Sequence, residues 1–119
     1  MKKLLPLLLL ALLAFAGCQS GPATYEVATK PHEVVPHAEK FVNQLEKKSK
    51  HYSAADWDAA VEQFVAMSKD YIEKSGYLTQ EERMKFDKAR VKFMSAIDSN
   101  GTEEVAKKVK KAYADLMGN

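Results

Sequence analysis

Residues 54–75 constrain the fold more than any other stretch of the chain. Trp57, Val61, Phe64, Ser68, Tyr71 and Ser75 recur three or four apart, and Val65 and Ile72 widen the stripe. That spacing lays one continuous apolar face along an α-helix. Ser53, followed three residues later by Asp56, is a short-armed capping box that opens it. Gly76 stands where a left-handed residue would close it. At 1.5 Å per residue such a helix is roughly 33 Å long. It presents the longest apolar face after residue 17 and is expected to form the core of a bundle.

The neighbouring stretches repeat the pattern. Ala38, Phe41, Val42 and Leu45 predict a helix over 36–50 that opens on Pro36, a residue suited to the first helical position. Lys47, Lys48 and Lys50 fall in its last turn, where cations complement the helix dipole. Thr79 and Glu82 form a capping box ahead of Phe86, Ala89, Phe93 and Ile97, with Arg90 at the edge of that stripe. Asn100-Gly101 is a stop signal. Thr102 then starts a last helix whose inner face is Val105, Val109, Ala112, Tyr113 and Leu116. Glu103–Lys107 and Glu104–Lys108 are spaced as helical ion pairs. No β-rich run interrupts the series. Connections of a few residues force successive helices to fold back. The expected architecture is all-α: an up-and-down antiparallel bundle of three to four helices over 36–119, after a flexible N-terminal tether over 18–35. Within that tether Gly21, Pro22, Pro31 and Pro36 read as linker punctuation, with about 60 Å of extended reach for residues 19–36. Tyr25 and Val27 alternate with Glu26 and Ala28, a pattern compatible with a short extended piece docked on the bundle.

The chain begins differently. Lys2 and Lys3 precede an almost purely aliphatic run over 4–14, which is short of the about 20 apolar residues that span a bilayer. A basic start, a short apolar centre and small residues before a cut site make a secretory signal, expected over 1–17. The whole chain carries 18 Lys and Arg against 16 Asp and Glu. The excess resides in Lys2 and Lys3, so the rest is balanced and makes no electrostatic case for nucleic acid. Cys18 is the sole cysteine, so an intramolecular disulfide is ruled out.

Phe15-Ala16-Gly17-Cys18 resembles the lipobox of bacterial lipoproteins, with Phe15 where that family usually has Leu. The resemblance implies cleavage between Gly17 and Cys18, a diacylglycerol on the Cys18 thiol and an acyl chain, such as palmitate, on its new amine. Two or more such chains anchor a protein stably, where one holds it only reversibly. Gln19, in place of an Asp after the lipidated cysteine, implies the outer membrane. The absence of an acidic run in Gln19-Ser20-Gly21-Pro22-Ala23 implies the periplasmic face of this Gram-negative envelope. Further on, Ala55-Asp56-Trp57-Asp58-Ala59-Ala60-Val61-Glu62-Gln63-Phe64 and Leu78-Thr79-Gln80-Glu81-Glu82 are similar to small helical lipoproteins of the Bacteroidetes. That resemblance brings no catalytic residues with it.

Candidate sites are few. Met84, Val91 and Met94 make a second apolar strip on the third helix and are the candidate partner surface, since Met suits adaptable surfaces. Trp57 fits the core stripe as well as it fits a binding anchor. His32, His37 and His51 lack partners at metal-ligand spacing, and no metal or other cofactor is expected. Lys107, Lys108, Lys110 and Lys111 read as a solvated helix face. Glu81, Glu82 and Asp87 lie close in sequence, but Glu82 has a capping role and Asp87 has Lys88 and Arg90 nearby. With no GxSxG, HExxH or phosphate-binding glycine pattern, the chain is not expected to be an enzyme. The expected function is a lipid-anchored, non-catalytic interaction or structural module whose partners are the membrane and an envelope protein or ligand. The alternatives are a binding module for a small hydrophobic ligand or unfolded client, and, third, an envelope enzyme.

Overall fold

Capping side chains fix where the helices begin. The computed structural model describes residues 21–118, which contain no strand. Four helices follow in order: α1 (Val34–Lys48), α2 (Ala54–Lys74), α3 (Gln80–Asn100) and α4 (Glu103–Leu116). At the head of α2 the Ser53 amide donates to Asp56 Oδ2 at 3.0 Å and the Asp56 amide returns a bond to Ser53 Oγ at 3.2 Å. At α3 the Thr79 amide donates to Glu82 Oε1 at 2.9 Å and the Glu82 amide to Thr79 Oγ1 at 3.1 Å. Thr102 Oγ1 accepts the Val105 amide at 3.2 Å and opens α4. These are the caps the sequence predicts.

Three boundaries differ from expectation. Gly76 does not turn left-handed; α2 tightens into the 3-10 turn Ser75–Tyr77, and among the described residues Gly118 alone has a positive φ, of 88°. Gly101 does end α3, but in extended geometry, with φ −94° and ψ −172°. It is needed there for closeness, because a Cβ would sit 2.9 Å from the Ile97 carbonyl oxygen. Helix α1 starts two residues before Pro36, running on from the 3-10 turn Pro31–Glu33. The Glu33 carboxylate holds that turn by accepting from the Thr29 amide at 3.1 Å and the Thr29 hydroxyl at 2.8 Å. Pro36 is thus the third helical residue, where its missing N–H would have had no partner within the helix. Val34 and Val35, 0% and 5% exposed, explain the early start. Burying each contributes about 1.5–3 kcal/mol, which outweighs the modest steric bias against helical geometry before proline.

Contacts at both ends give the helix directions. His32, just before α1, meets Glu82 in the first turn of α3, and Ser49, just after α1, bonds Asn100 at the end of α3. Helices α1 and α3 therefore run parallel, and they are the most closely packed pair. Buried alanines on both, Ala38 on α1 and Ala89 and Ala96 on α3, suit that approach. Lys108 of α4 reaches Asp58 near the start of α2, and Met117 lies beside Ser75 at its end, so α2 and α4 are parallel too. The chain-adjacent pair α2 and α3 runs antiparallel, held further apart by rings: Tyr71 stacks on Phe86 with centroids 3.9 Å apart, and Phe64 stacks on Phe93 at 4.5 Å. The up-and-down order is as expected, but the closest pairs are alternate helices of the chain, which run parallel.

Phe93 of α3 is the centre. It stacks on Phe64 of α2 on one side and on Phe41 of α1, at 6.0 Å, on the other, and it is 0% exposed. Replacing Phe93 by Ala is expected to cost about 3–5 kcal/mol, read as a lowered urea midpoint with little change in slope.

Candidate functional site

The described part of the expected tether is a docked strap. Residues 21–30 run extended along α2 and beside α1, with Ala23, Tyr25 and Ala28 buried and Val27 turned out to solvent. Proline, glycine and small residues favour the extended path, and side chains of the bundle satisfy its amides. The Ala23 amide donates to Tyr52 Oη at 2.7 Å, the Tyr25 amide to Gln63 Oε1 at 2.7 Å, and the Ala28 amide to Asp70 Oδ2 at 2.8 Å. The Tyr25 ring lies edge-on to Phe41 and His37 of α1.

Asp70 anchors the strap. It is 3% exposed, on the face of α2 that the strap covers. Its carboxylate accepts from the Ala28 amide and from the Tyr25 hydroxyl, at 2.6 Å, and pairs with Lys74 one turn on. Burial alone would push this carboxyl up, but the Ala28 amide, the Lys74 ammonium and the Tyr25 hydroxyl together bring it below its usual range. The same burial, reinforced by the hydrogen bond and charge of Asp70, drives the Tyr25 phenol far above its usual value.

On another side of the bundle an apolar cleft of about 260 Å³ opens between the end of α2, the first half of α3 and the end of α4. Tyr71, Phe86 and Tyr113 supply aromatic walls, and Ile72 and Met117 form an apolar rim, 43% and 54% exposed. Arg90 lies over the Tyr113 ring at 5.4 Å from its centroid. Its Nη2 is 3.6 Å from Asp87 Oδ1, an ion pair too long for a hydrogen bond. Two buried polar atoms here lack any hydrogen-bond partner: Ser68 Oγ on α2 and Arg90 Nε on α3.

The residues singled out by sequence are scattered. Met84 and Val91 are open to solvent at 56% and 55% exposure, while Met94 turns half-buried against the core; none of the three lines the cleft. Trp57 is core, 2% exposed and edge-on to Tyr52. His32 pairs with Glu82 at 2.8 Å, and His37 Nδ1 lies 2.8 Å from the Glu26 carbonyl oxygen. Glu82 is held below the usual carboxylate range by the Thr79 amide and by His32. Lys108 reaches across to Asp58 at 2.7 Å, which raises its ammonium above the usual value with Glu104 adding a smaller share. Among the described residues no three His, Cys, Asp or Glu side chains are grouped to hold a metal ion. Nor is any helix among them long and apolar enough to cross a membrane. The expected signal region 1–17, with Gly17, and the candidate lipidation residue Cys18 lie outside the described residues. Asp70 escaped the sequence reading, where its only visible partner is Lys74 at helical spacing. The cleft left two traces there: Ser68 inside an apolar stripe and Arg90 at the edge of one.

A family model described as a domain of unknown function (DUF6565) matches residues 45–119. The matched range starts near the end of α1 and takes in every residue that lines the cleft. No curated protein and no solved structure matches the chain.

The strap makes the protein acid-sensitive in a defined direction. Because Asp70 titrates lower when folded than when unfolded, its stabilisation is complete above the unfolded value of about 3.9 and is lost as pH falls through the folded value. Exchange protection of the Tyr25 and Ala28 amides is expected to fall below about pH 4. Asp70→Asn is expected to cost about 3–5 kcal/mol at neutral pH, since it strands Lys74, and to flatten that acid dependence. Tyr25→Phe, which removes one bond to the carboxylate, costs about 1.5–3 kcal/mol in the same urea titration.

Proposed function

The chain belongs to the DUF6565 family, and from that premise we propose that it is a lipid-anchored, non-catalytic lipoprotein of the periplasmic face of the outer membrane, whose bundle serves as an interaction module. The leader ending in Phe15-Ala16-Gly17-Cys18 motivates the anchor. The observation that carries the reading further is the docked strap. It leaves residues 18–22 to link the acylated cysteine to the bundle, about 17 Å when extended. The bundle is then a body held at the lipid surface rather than one swinging on a long leash. Ala23 is tied to Tyr52, so the end formed by the α1–α2 and α3–α4 connections faces the lipid. The cleft, at the far end of α2 and α4, faces the periplasm. Two carboxylates are engaged in structure: Glu82 with Thr79 and His32, Asp70 with the strap and Lys74. The expected partners are the membrane and an envelope protein or ligand.

Labelled palmitate is expected to enter the wild-type protein, and Cys18→Ala to abolish labelling and move the protein from the membrane to the soluble fraction. Identical fractionation of the two forms would reject the anchor. Lipidation occupies the Cys18 thiol, so an introduced cysteine is a unique label site. An environment-sensitive dye on Ser99→Cys, at the near end, is expected to report an apolar surrounding. The same dye on Tyr77→Cys, at the far end, is expected to report water; equal spectra would reject the orientation.

A further inference from the structure

Among the described residues, the buried side-chain polar atoms without a hydrogen-bond partner are Ser68 Oγ and Arg90 Nε, and both belong to residues that line the same cleft. An orphaned buried donor costs about 1–3 kcal/mol, and native proteins keep few of them. Ser68 is 2% exposed and sits in the middle of an apolar helix face, where an alanine would pack without penalty. Arg90 is held by the Tyr113 ring and by a long ion pair, neither of which uses its Nε–H. Around these two donors the surface is aromatic and aliphatic: Tyr71, Phe86, Ile72 and Met117. The larger hollow between α1 and α3, about 310 Å³, lacks this combination, being edged by Lys85, Lys88 and Lys92 with no orphaned buried atom.

We propose that the cleft between α2, α3 and α4 binds a small amphiphilic carboxylate, with its carboxylate accepting from Ser68 Oγ and the Arg90 guanidinium and its apolar body against Tyr71, Phe86 and Ile72. A carboxylate has two oxygens and four lone-pair sites, so one head group answers both donors, and the guanidinium makes the bond a charge-assisted one. A neutral alcohol of equal length can also accept from both donors, but it carries no charge, so its bond to the guanidinium lacks the ionic contribution. At about 30 Å³ for a water-sized group, the cleft has room for on the order of ten non-hydrogen atoms, the size of a medium-chain fatty acid or a short arylalkanoic acid. This deepens the reading of the bundle as an interaction module, and it holds or fails independently of the lipid anchor.

The test uses residues 18–119 with Cys18→Ser, which retain all of the structure described. Octanoate and 1-octanol are titrated separately at neutral pH while backbone amide shifts are followed by NMR. Octanoate is expected to saturate with a Kd on the order of 0.1–1 mM, as suits a ligand this small. The largest shifts are expected at Ser68, Tyr71, Arg90 and Tyr113, with 1-octanol at least about tenfold weaker. Arg90→Gln is expected to weaken octanoate about tenfold and leave 1-octanol unchanged. Ile72→Trp, at an exposed rim position that a larger ring can occupy without disturbing the core, is expected to abolish both. Equal affinity for the acid and the alcohol would overturn the carboxylate assignment. Absence of saturable shifts, or shifts centred on Met84 and Val91 instead, would overturn the site.

Discussion

Asp70 keeps its charge inside the protein because three donors reach it at once: a tyrosine hydroxyl and a backbone amide from the strap, and a lysine from its own helix. A carboxylate this buried is costly unless fully satisfied, so the strap and α2 hold each other in place. Without the strap, Asp70 and Gln63 would lose their partners, and the side of Phe41 that meets Tyr25 would face water. The strap in turn dictates at which end the chain leaves the bundle.

The second organising contact is the ring stack of Phe41, Phe93 and Phe64, which joins three helices through one side chain. Large rings between α2 and α3 keep those backbones apart, while alanines let α1 and α3 come close. One consequence is the cleft. Tyr71 and Phe86 stack on each other, and the last turn of α4, with Tyr113 and Met117, covers only part of the space beside them. The same packing that stabilises the core thus leaves an apolar hollow with Ser68 and Arg90 in its wall.

Much of the bundle was legible from residue spacing. Ser53 with Asp56, Thr79 with Glu82, and Thr102 mark helix starts because capping is local: donor and acceptor lie three residues apart. The stripe through Phe86, Ala89, Phe93 and Ile97 is buried as its periodicity required. The early start of α1 was hidden by Pro36, whose local steric preference yielded to the burial of Val34 and Val35. Pairing of Lys108 with Glu104 was the local expectation, and Asp58, fifty residues away, supplies the direct contact instead. The candidate strip Met84–Val91–Met94 divides because Met94 turns toward the core while the other two do not.

What the sequence by itself determined is the helical content, the order of the helices and the features that short range controls: caps and apolar stripes. Tertiary structure alone decided that alternate helices pack closest, which groups hold the docked strap, that Asp70 is an internal anchor, and that Ser68 and Arg90 share one cleft. The reason is physical. A helix and its caps are specified by residues within four positions of one another, whereas a buried charge and a cleft depend on groups that only the folded chain brings together, such as Tyr25 and Asp70, 45 residues apart.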